Sequence, residues 1–323
     1  MRLRYSEWQI SKNVDNPSKS LEEILEKEFG EVVNNNDGTW ILDGVEVIIN
    51  EETGEIVVGE KVKEKTIEEM QEDYAIGNTI ARDENGNKIV VLDGFKITND
   101  TKKVHEGIVV EDREENQFVW VPVGEISDGI NTHTIKLSRY TFSSDGTPTD
   151  MGDAIIRSYF QEETISTGLN LGNTIAKDIE KFISSTNKNG GYYIGRYEAS
   201  RNNITGKAEN KKNKAPWISV TQSNAAIAAR EMYETNSNYE SDLVNSYTWD
   251  TAIVFIQTFG QSNYSKQRRL SSNFLKTGEA EDEQLNINDM AGNLFEKTTE
   301  TYDNNIIGVS AVRRRRRFGK SSY

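Results

Sequence analysis

The chain is expected to fold as a mixed α+β protein, and three features of its 323 residues point there. Two Ser/Thr-x-x-Glu boxes stand in front of apolar residues at helical spacing, the signature of a capped helix start. Short alternating apolar and polar runs are split by Asp-Gly and other glycine turns, which favour β-hairpins. The hydrophobic fraction is only 35%, yet it includes 5 Trp, 13 Tyr and 11 Phe, enough for a core built around aromatic rings rather than aliphatic layers. A chain of this length accommodates two domains of ordinary size.

The first hundred residues read as a separate module. Ser20, Leu21, Glu22 and Glu23 cap a short helix with Leu21, Ile24, Leu25 and Phe29 at helical spacing, and Gly30 stops it. Three strands are expected next, TWIL at 39–42, VEVIIN at 45–50 and EIVVGEKV at 55–62, turned at Asp43-Gly44 and at Glu52-Thr53-Gly54. The second box, Thr66 to Glu69, starts a connecting helix expected to end near Gly77. The domain plan is thus a helix-plus-meander module with its connecting helix over 1–77, a main domain over 78–303, and a basic tail over 304–323.

Within the main domain, Asp83 to Asn87 reads as a polar hairpin tip. Its oxygens resemble the start of a calcium loop, but Gly94 and Phe95 stand where the closing acidic residue would be, so an EF-hand is excluded. A helix around 175–183 places Ile175, Ile179, Phe182 and Ile183 on one face. Thr221 is expected to cap a helix carrying Ala225, Ala228, Ala229 and Met232, and Thr248 another carrying Ala252, Ile253, Phe255 and Ile256 before Gly260 ends it. Tyr192, Tyr193, Tyr197, Trp217 and Trp249 are assigned to the core, and Arg196 is expected to pair with Glu198 on one strand face.

The formal charge is −14, and most of it sits early, with 11 Lys+Arg against 23 Asp+Glu in residues 1–100. Such a field opposes nucleic acid and anionic membrane surfaces as partners and suits cations or basic ligands. The run Arg313 to Arg317 reads as a solvated tail rather than a nucleic-acid patch. The start, MRLRYSEWQISKN, has no apolar run, and neither a signal peptide nor a membrane-spanning segment can be read. The two histidines, His105 and His133, lie in alternating segments with no ligand at useful spacing and are expected at solvent or at a hairpin edge.

Five stretches in order carry a family likeness: GFKI at 94–97 with QFVWVPVG at 117–124, GGYYIGRYEAS at 190–200, PWISVTQSNA at 216–225, SYTWDTAIVFI at 246–256, and NINDMAGNLFEKTT at 286–299. The last resembles the N-[IL]-Y-D-M-x-G-N-[VL]-W-E-W signature of the formylglycine-generating enzyme and sulfatase-modifying-factor family. Where that pattern has Tyr, Trp and Trp, this chain has Asn288, Phe295 and Lys297. The family continues through an Arg-Gly-Gly segment and a closing strand, for which residues 304–323 offer no match.

The resemblance implies a C-type lectin-like fold, used by enzymes and by non-catalytic binders alike. It also implies structural calcium on the turn, held by a side-chain oxygen of Asp289, the carbonyls of Gly292 and Leu294, and Glu296. Irregular backbone supplies such oxygens well. The plainer alternative is that Asp289 and Glu296 only tie down backbone N–H groups.

Formylglycine generation needs a cysteine thiolate, and the chain has no cysteine, so that reaction is outside its reach. Iron chemistry on this fold needs paired histidines, which the sequence does not place together. The resemblance therefore implies a non-catalytic binding module for a surface protein or glycan. Phage and bacterial proteins diversified by retroelements use the fold in this way, which implies an extracellular, cell-surface or virion-associated setting. Segment 233–247, rich in Asn and Tyr, is a candidate part of that surface, with solvated loop as the simpler reading. Two alternatives stand: a family enzyme of divergent chemistry, and a virion or pilus part, since the helix-plus-meander is similar to the globular part of pilins and pseudopilins.

Overall fold

The computed structural model describes residues 2–4, 32–34, 39–42, 45–49, 55–61, 64–152, 179–236, 238–267, 274–294, 296–304 and 308–314. They form a mixed α+β structure of several small sheets and helices. No helix among the described residues is long and apolar enough to cross a membrane.

Strands β1 (Arg2–Arg4), β2 (Val32–Asn34), β3 (Thr39–Leu42), β4 (Val45–Ile49) and β5 (Glu55–Lys61) form an antiparallel sheet in the order β1-β5-β4-β3-β2. The expected meander is its centre. Leu42 pairs with Val45, and Ile49 with Ile56. The outer strands β1 and β2 went unread because each is only three residues long, too short to show alternation. The helix expected after Ser20 lies outside the described residues.

Strand β6 (Lys65–Thr66) leads into α1 (Ile67–Glu72), whose capping box is complete. Thr66 Oγ1 accepts the Glu69 N–H at 3.2 Å, and Glu69 Oε2 accepts the Thr66 N–H at 2.8 Å. The helix ends at Glu72, short of Gly77, because the chain is recruited elsewhere. Ala75 N–H donates to the Phe95 carbonyl and Gly94 N–H returns to the Ala75 carbonyl, at 2.7 and 2.9 Å.

Strands β7 (Thr79–Arg82) and β8 (Lys88–Val91) form the expected hairpin, and β6 lies parallel to β7. Its tip is the polar turn read from sequence: Asp83 Oδ1 accepts the N–H groups of Asn85 and Asn87, and Oδ2 accepts Asn87 Nδ2. The same device recurs between β10 (Val109–Asp112) and β11 (Gln117–Pro122), where Asp112 gathers the N–H groups of Glu114 and Asn116 and the Asn116 side chain.

With β9 (Phe95–Ile97) and β16 (Gly191–Gly195), strands β10 and β11 build a sheet ordered β16-β11-β10-β9. Between β11 and β16 run the hairpins of β12 (Gly124–Ser127) with β13 (Thr132–Ile135) and β14 (Tyr140–Phe142) with β15 (Pro148–Asp150), then α2 (Ile179–Asn189). Both faces of the four-stranded sheet are buried, since side chains alternate across a strand. Val109, Val119, Val121, Tyr192 and Ile194 enter one core. Phe95, Ile97, Val110 and Trp120 enter the other.

After β16 come the short pair β17 (Ser200–Arg201) and β18 (Ala208–Glu209), then α3 (Gln222–Glu231) and α4 (Ser246–Phe259). Thr221 caps α3 as expected, its Oγ1 accepting the Asn224 N–H. The cap of α4 lies three residues before the expected Thr248: Asn245 takes that role and accepts the Thr248 N–H at 3.0 Å. Gly260 ends the helix. Residues 246–256 of α4 are all buried, and the helix serves both cores: Ala252, Ile253, Phe255 and Ile256 in the first, Val254 in the second. Ile179, Phe182 and Ile183 of α2 pack on the first core, while Ile175 lies outside the described residues.

Strands β19 (Glu283–Gln284) and β20 (Ile287–Asn288) make a tight hairpin, and β21 (Glu296–Asn304) pairs antiparallel with β22 (Gly308–Arg314). Residues 308–314 of the segment set apart as a basic tail are thus strand-paired, with Arg313 opposite Lys297 and Arg314 opposite Glu296.

Candidate functional site

Unusual backbone gathers around the family-like turn. Glu281, Leu285, Asn286, Asp289 and Asn293 all have positive φ, a conformation that costs L-residues free energy and accumulates where a backbone shape is functionally required. Leu285 and Asn286, at φ 49° and 63°, form the two-residue connection between β19 and β20, whose twist suits a hairpin. Gly107 is seated directly against this connection. A Cβ there would lie 2.1 Å from the Leu285 carbonyl oxygen, and the Gly107 carbonyl accepts the Asn286 side-chain amide at 2.8 Å.

Asp289 is 1% exposed. Its Oδ2 accepts the Gly278 N–H at 2.7 Å, while Oδ1 is buried with no hydrogen-bond partner. Burial pushes the Asp289 carboxyl above the ordinary aspartate range, the Gly278 N–H lowers it, and the nearby Asp282 carboxylate raises it further. Asp282 is itself buried, accepting the Tyr264 hydroxyl at 3.0 Å and the Ala291 N–H at 2.6 Å. Gly292 N–H closes the turn onto the Asp289 carbonyl at 3.3 Å.

The four expected calcium ligands fare unequally. Asp289 and Gly292 are buried together in one turn, and the Leu294 N–H is held by Glu198 Oε1 at 2.9 Å. The Glu296 backbone opens β21, and its side chain lies outside what the structure describes. A buried carboxylate oxygen without a donor is the kind of group a hard cation satisfies, so Asp289 fits the role the family likeness gives it. Among the described residues, no group of three or more His, Cys, Asp or Glu is arranged to hold a metal.

Glu198 does not pair with Arg196. Strand β16 ends at Gly195, so the two residues lose the same-face relation a strand would have imposed. Arg196 instead donates to Gln117 Oε1 at 3.0 Å and Asn286 Oδ1 at 3.3 Å, and lies near Asp100 and Glu283. Glu198 takes the far end of the turn, accepting from Leu294 N–H and Asn293 Nδ2. Burial pushes its carboxyl up to about 8, helped by the Asp289 charge and opposed by the Leu294 and Asn293 hydrogen bonds. At neutral pH it is held largely as the acid, and a cation set beside it would draw it to the carboxylate.

Beside this turn opens a cleft of about 630 Å³, lined by side chains from α3, the β17–β18 region and the turn itself. Ala225, Ala228, Ala229 and Met232 form one wall; Trp249, Ile287 and Met290 line it further. Ile218 and Phe274, also at the cleft, are 45% and 66% exposed. The helical stripe of α3 read from sequence therefore faces this opening.

Of the five aromatics assigned to the core, Tyr192, Tyr197 and Trp249 are buried. Tyr193 is half-buried, its hydroxyl donating to the Val90 carbonyl. Trp217 is half-buried and lines the cleft, with the Arg201 guanidinium 5.5 Å from its ring centroid. In segment 233–247, Tyr233 and Tyr239 pack on Phe95, and the Tyr233 hydroxyl donates to Asp112, so these rings hold a loop down rather than face a ligand.

His105 departs from its expected exposed strand. It lies in a 3₁₀ turn over Val104–Glu106, its side chain 13% exposed. His133 sits on the β12–β13 hairpin edge as expected, 3.2 Å from Asp128. Both imidazoles pack on the Phe259 ring, at centroid distances of 5.8 and 5.1 Å.

Sequence reasoning missed Asp282 and the turn-holding role of Glu198. A lone carboxylate in the aromatic run GGYYIGRYEAS was the available signal for Glu198; nothing local marked Asp282. Comparison with protein-family models, with curated proteins and with solved structures returned no match.

Proposed function

We propose that this protein is a non-catalytic binding module, a C-type lectin-like domain of the sulfatase-modifying-factor type that recognises a surface protein or glycan. The observation that carries the reading is the apolar cleft beside the family-like turn, with exposed Phe274 and Ile218 and the half-buried Trp217 at its margin. Concave apolar sites with a few polar groups are the usual form of a binding site. Without cysteine, the chain offers no thiolate chemistry in this cleft. Calcium is part of the proposal: Asp289, Gly292, Leu294 and Glu296 would hold it, and it would fix the shape of the turn that borders the cleft.

The experiment is a thermal melt of the full chain in calcium and in EDTA, followed by screening on arrays of glycans and surface proteins. Calcium at about a hundred times its Kd adds about 2.7 kcal/mol, a rise of about 5 °C for a domain of this size. Asp289→Asn is expected to abolish that rise. Coincident wild-type melts would sink the calcium part. A cleft filled by Ala228→Trp that still bound the captured ligand unchanged would sink the binding site.

A further inference from the structure

We infer that the cleft takes the alkyl chain of an anionic lipid, whose charged head is held by the basic hairpin of β17 and β18. This rests on the binding-module reading and narrows its ligand to a lipid-linked one, bound one molecule at a time through its alkyl end.

The first argument is local charge. Strands β17 and β18 and the loop after them form one side of the cleft. Residues 199–217 of this side carry five cations, Arg201, Lys207, Lys211, Lys212 and Lys214, against one carboxylate, Glu209. Lys214 and Lys211 lie 3.7 and 3.9 Å from Glu209, so two lysines share a single negative charge. Arg201 donates to the Gly206 carbonyl at 3.2 Å and lies over Trp217, which lines the cleft; among the described residues it is paired with no carboxylate. The other carboxyl groups of the cleft are engaged, Asp242 by Arg230 at 2.9 Å and Glu198 by the Leu294 N–H and the Asn293 amide. Surplus positive charge at the rim of an apolar cleft favours an anion there. The chain's acidic surplus lies mostly elsewhere in the sequence, in residues 1–100.

The second argument is what the walls leave for a ligand to bond. An extended peptide in a groove takes its affinity from backbone hydrogen bonds along a free strand edge. The strand at this cleft has no such edge: Ser200 is paired with Glu209 on one side and with Pro216 on the other, and the Trp217 N–H donates to the Ala199 carbonyl at 2.8 Å. Opposite stands α3, whose backbone bonds are made within the helix and whose wall is Ala225, Ala228, Ala229 and Met232. An alkyl chain asks for no hydrogen bond, gains from leaving water, and fits a wall of small side chains that a methionine adjusts.

The test titrates decyl phosphate, below its micelle concentration, into the full chain, followed by calorimetry and tryptophan fluorescence. Decyl glucoside and decyltrimethylammonium carry the same chain with a neutral and a cationic head. Decyl phosphate is expected to bind about ten-fold more tightly than either, and octyl phosphate, two methylenes shorter, about ten-fold more weakly than decyl phosphate. Arg201→Gln combined with Lys214→Gln should weaken decyl phosphate about ten-fold and leave decyl glucoside unchanged. Ala228→Trp should remove binding of all three, with circular dichroism and the melting temperature as fold controls. Equal affinity for the three heads, or a decyl phosphate affinity indifferent to the double substitution, would overturn the inference. Capture of proteins or lipid-free glycans on the arrays, blocked by Ala228→Trp and without decyl phosphate binding, would overturn it while leaving the binding-module reading intact; binding of neither would overturn both.

Discussion

Glu198 shows how one side chain ties the site together. Its two oxygens hold the Asn293–Leu294 end of the turn while its carboxyl lines the cleft. Its folded-state value near 8 lies above the ordinary glutamate value of 4.5, so the folded chain binds this proton more tightly than the unfolded one. That contribution to stability is complete below about pH 4.5 and is lost as pH rises through 8. Denaturant unfolding at pH 5, 7 and 9 should show a falling midpoint for wild type and a shallower fall for Glu198→Gln. At the same scale, Gly107 permits an approach no other residue allows. Gly107→Ala would drive a methyl group into the Leu285 carbonyl, and a loss of about 3 kcal/mol or more is expected by chemical denaturation.

Among the elements, the two Asp-anchored tips repeat one solution to a turn's unpaired N–H groups. Both use an aspartate, an asparagine four residues on and a left-handed residue just before that asparagine: Gly86 at φ 82° in the first, Glu115 at φ 67° in the second. Glu115→Gly should relieve the second tip and raise stability by about 0.5–1 kcal/mol. Asp112→Ala should cost about 3 kcal/mol, since it strands the Glu114 and Asn116 N–H groups, the Asn116 amide and the Tyr233 hydroxyl. Equal melts for Asp112→Ala and wild type would show that water replaces the carboxylate at no cost. The first tip was legible in the sequence as a polar turn, whereas the second, over 112–116, was not read; that the two share one geometry shows only in their bonds.

For the molecule as a whole, α4 and the β16-β11-β10-β9 sheet each contribute side chains to both cores, so the two are expected to unfold together. Phe255 is fully buried in the first core and packs edge-on against Phe259, which meets both histidines. Phe255→Ala is expected to cost about 3–5 kcal/mol. The loss should appear in calorimetry as a single shifted transition for the two cores; two separated transitions would mean they melt independently.

The sequence by itself determined what local chemistry controls. The α+β class, the central meander, the Thr66 box, the Thr221 cap, the Gly260 stop and the buried stripe of α4 follow from spacing, caps and turn residues, which act within a few positions of themselves. The absence of cysteine also fixed which chemistry lies out of reach. Only the tertiary structure decided where polar side chains go once strands end. Arg196 and Glu198 part company because β16 stops at Gly195, His105 is drawn against Phe259, and the apolar stripe of α3 opens on a cleft instead of closing on a core. Those outcomes depend on partners some 80 to 180 residues away, such as Gln117 for Arg196 and Gly107 for Asn286, and no local pattern encodes so distant a neighbour.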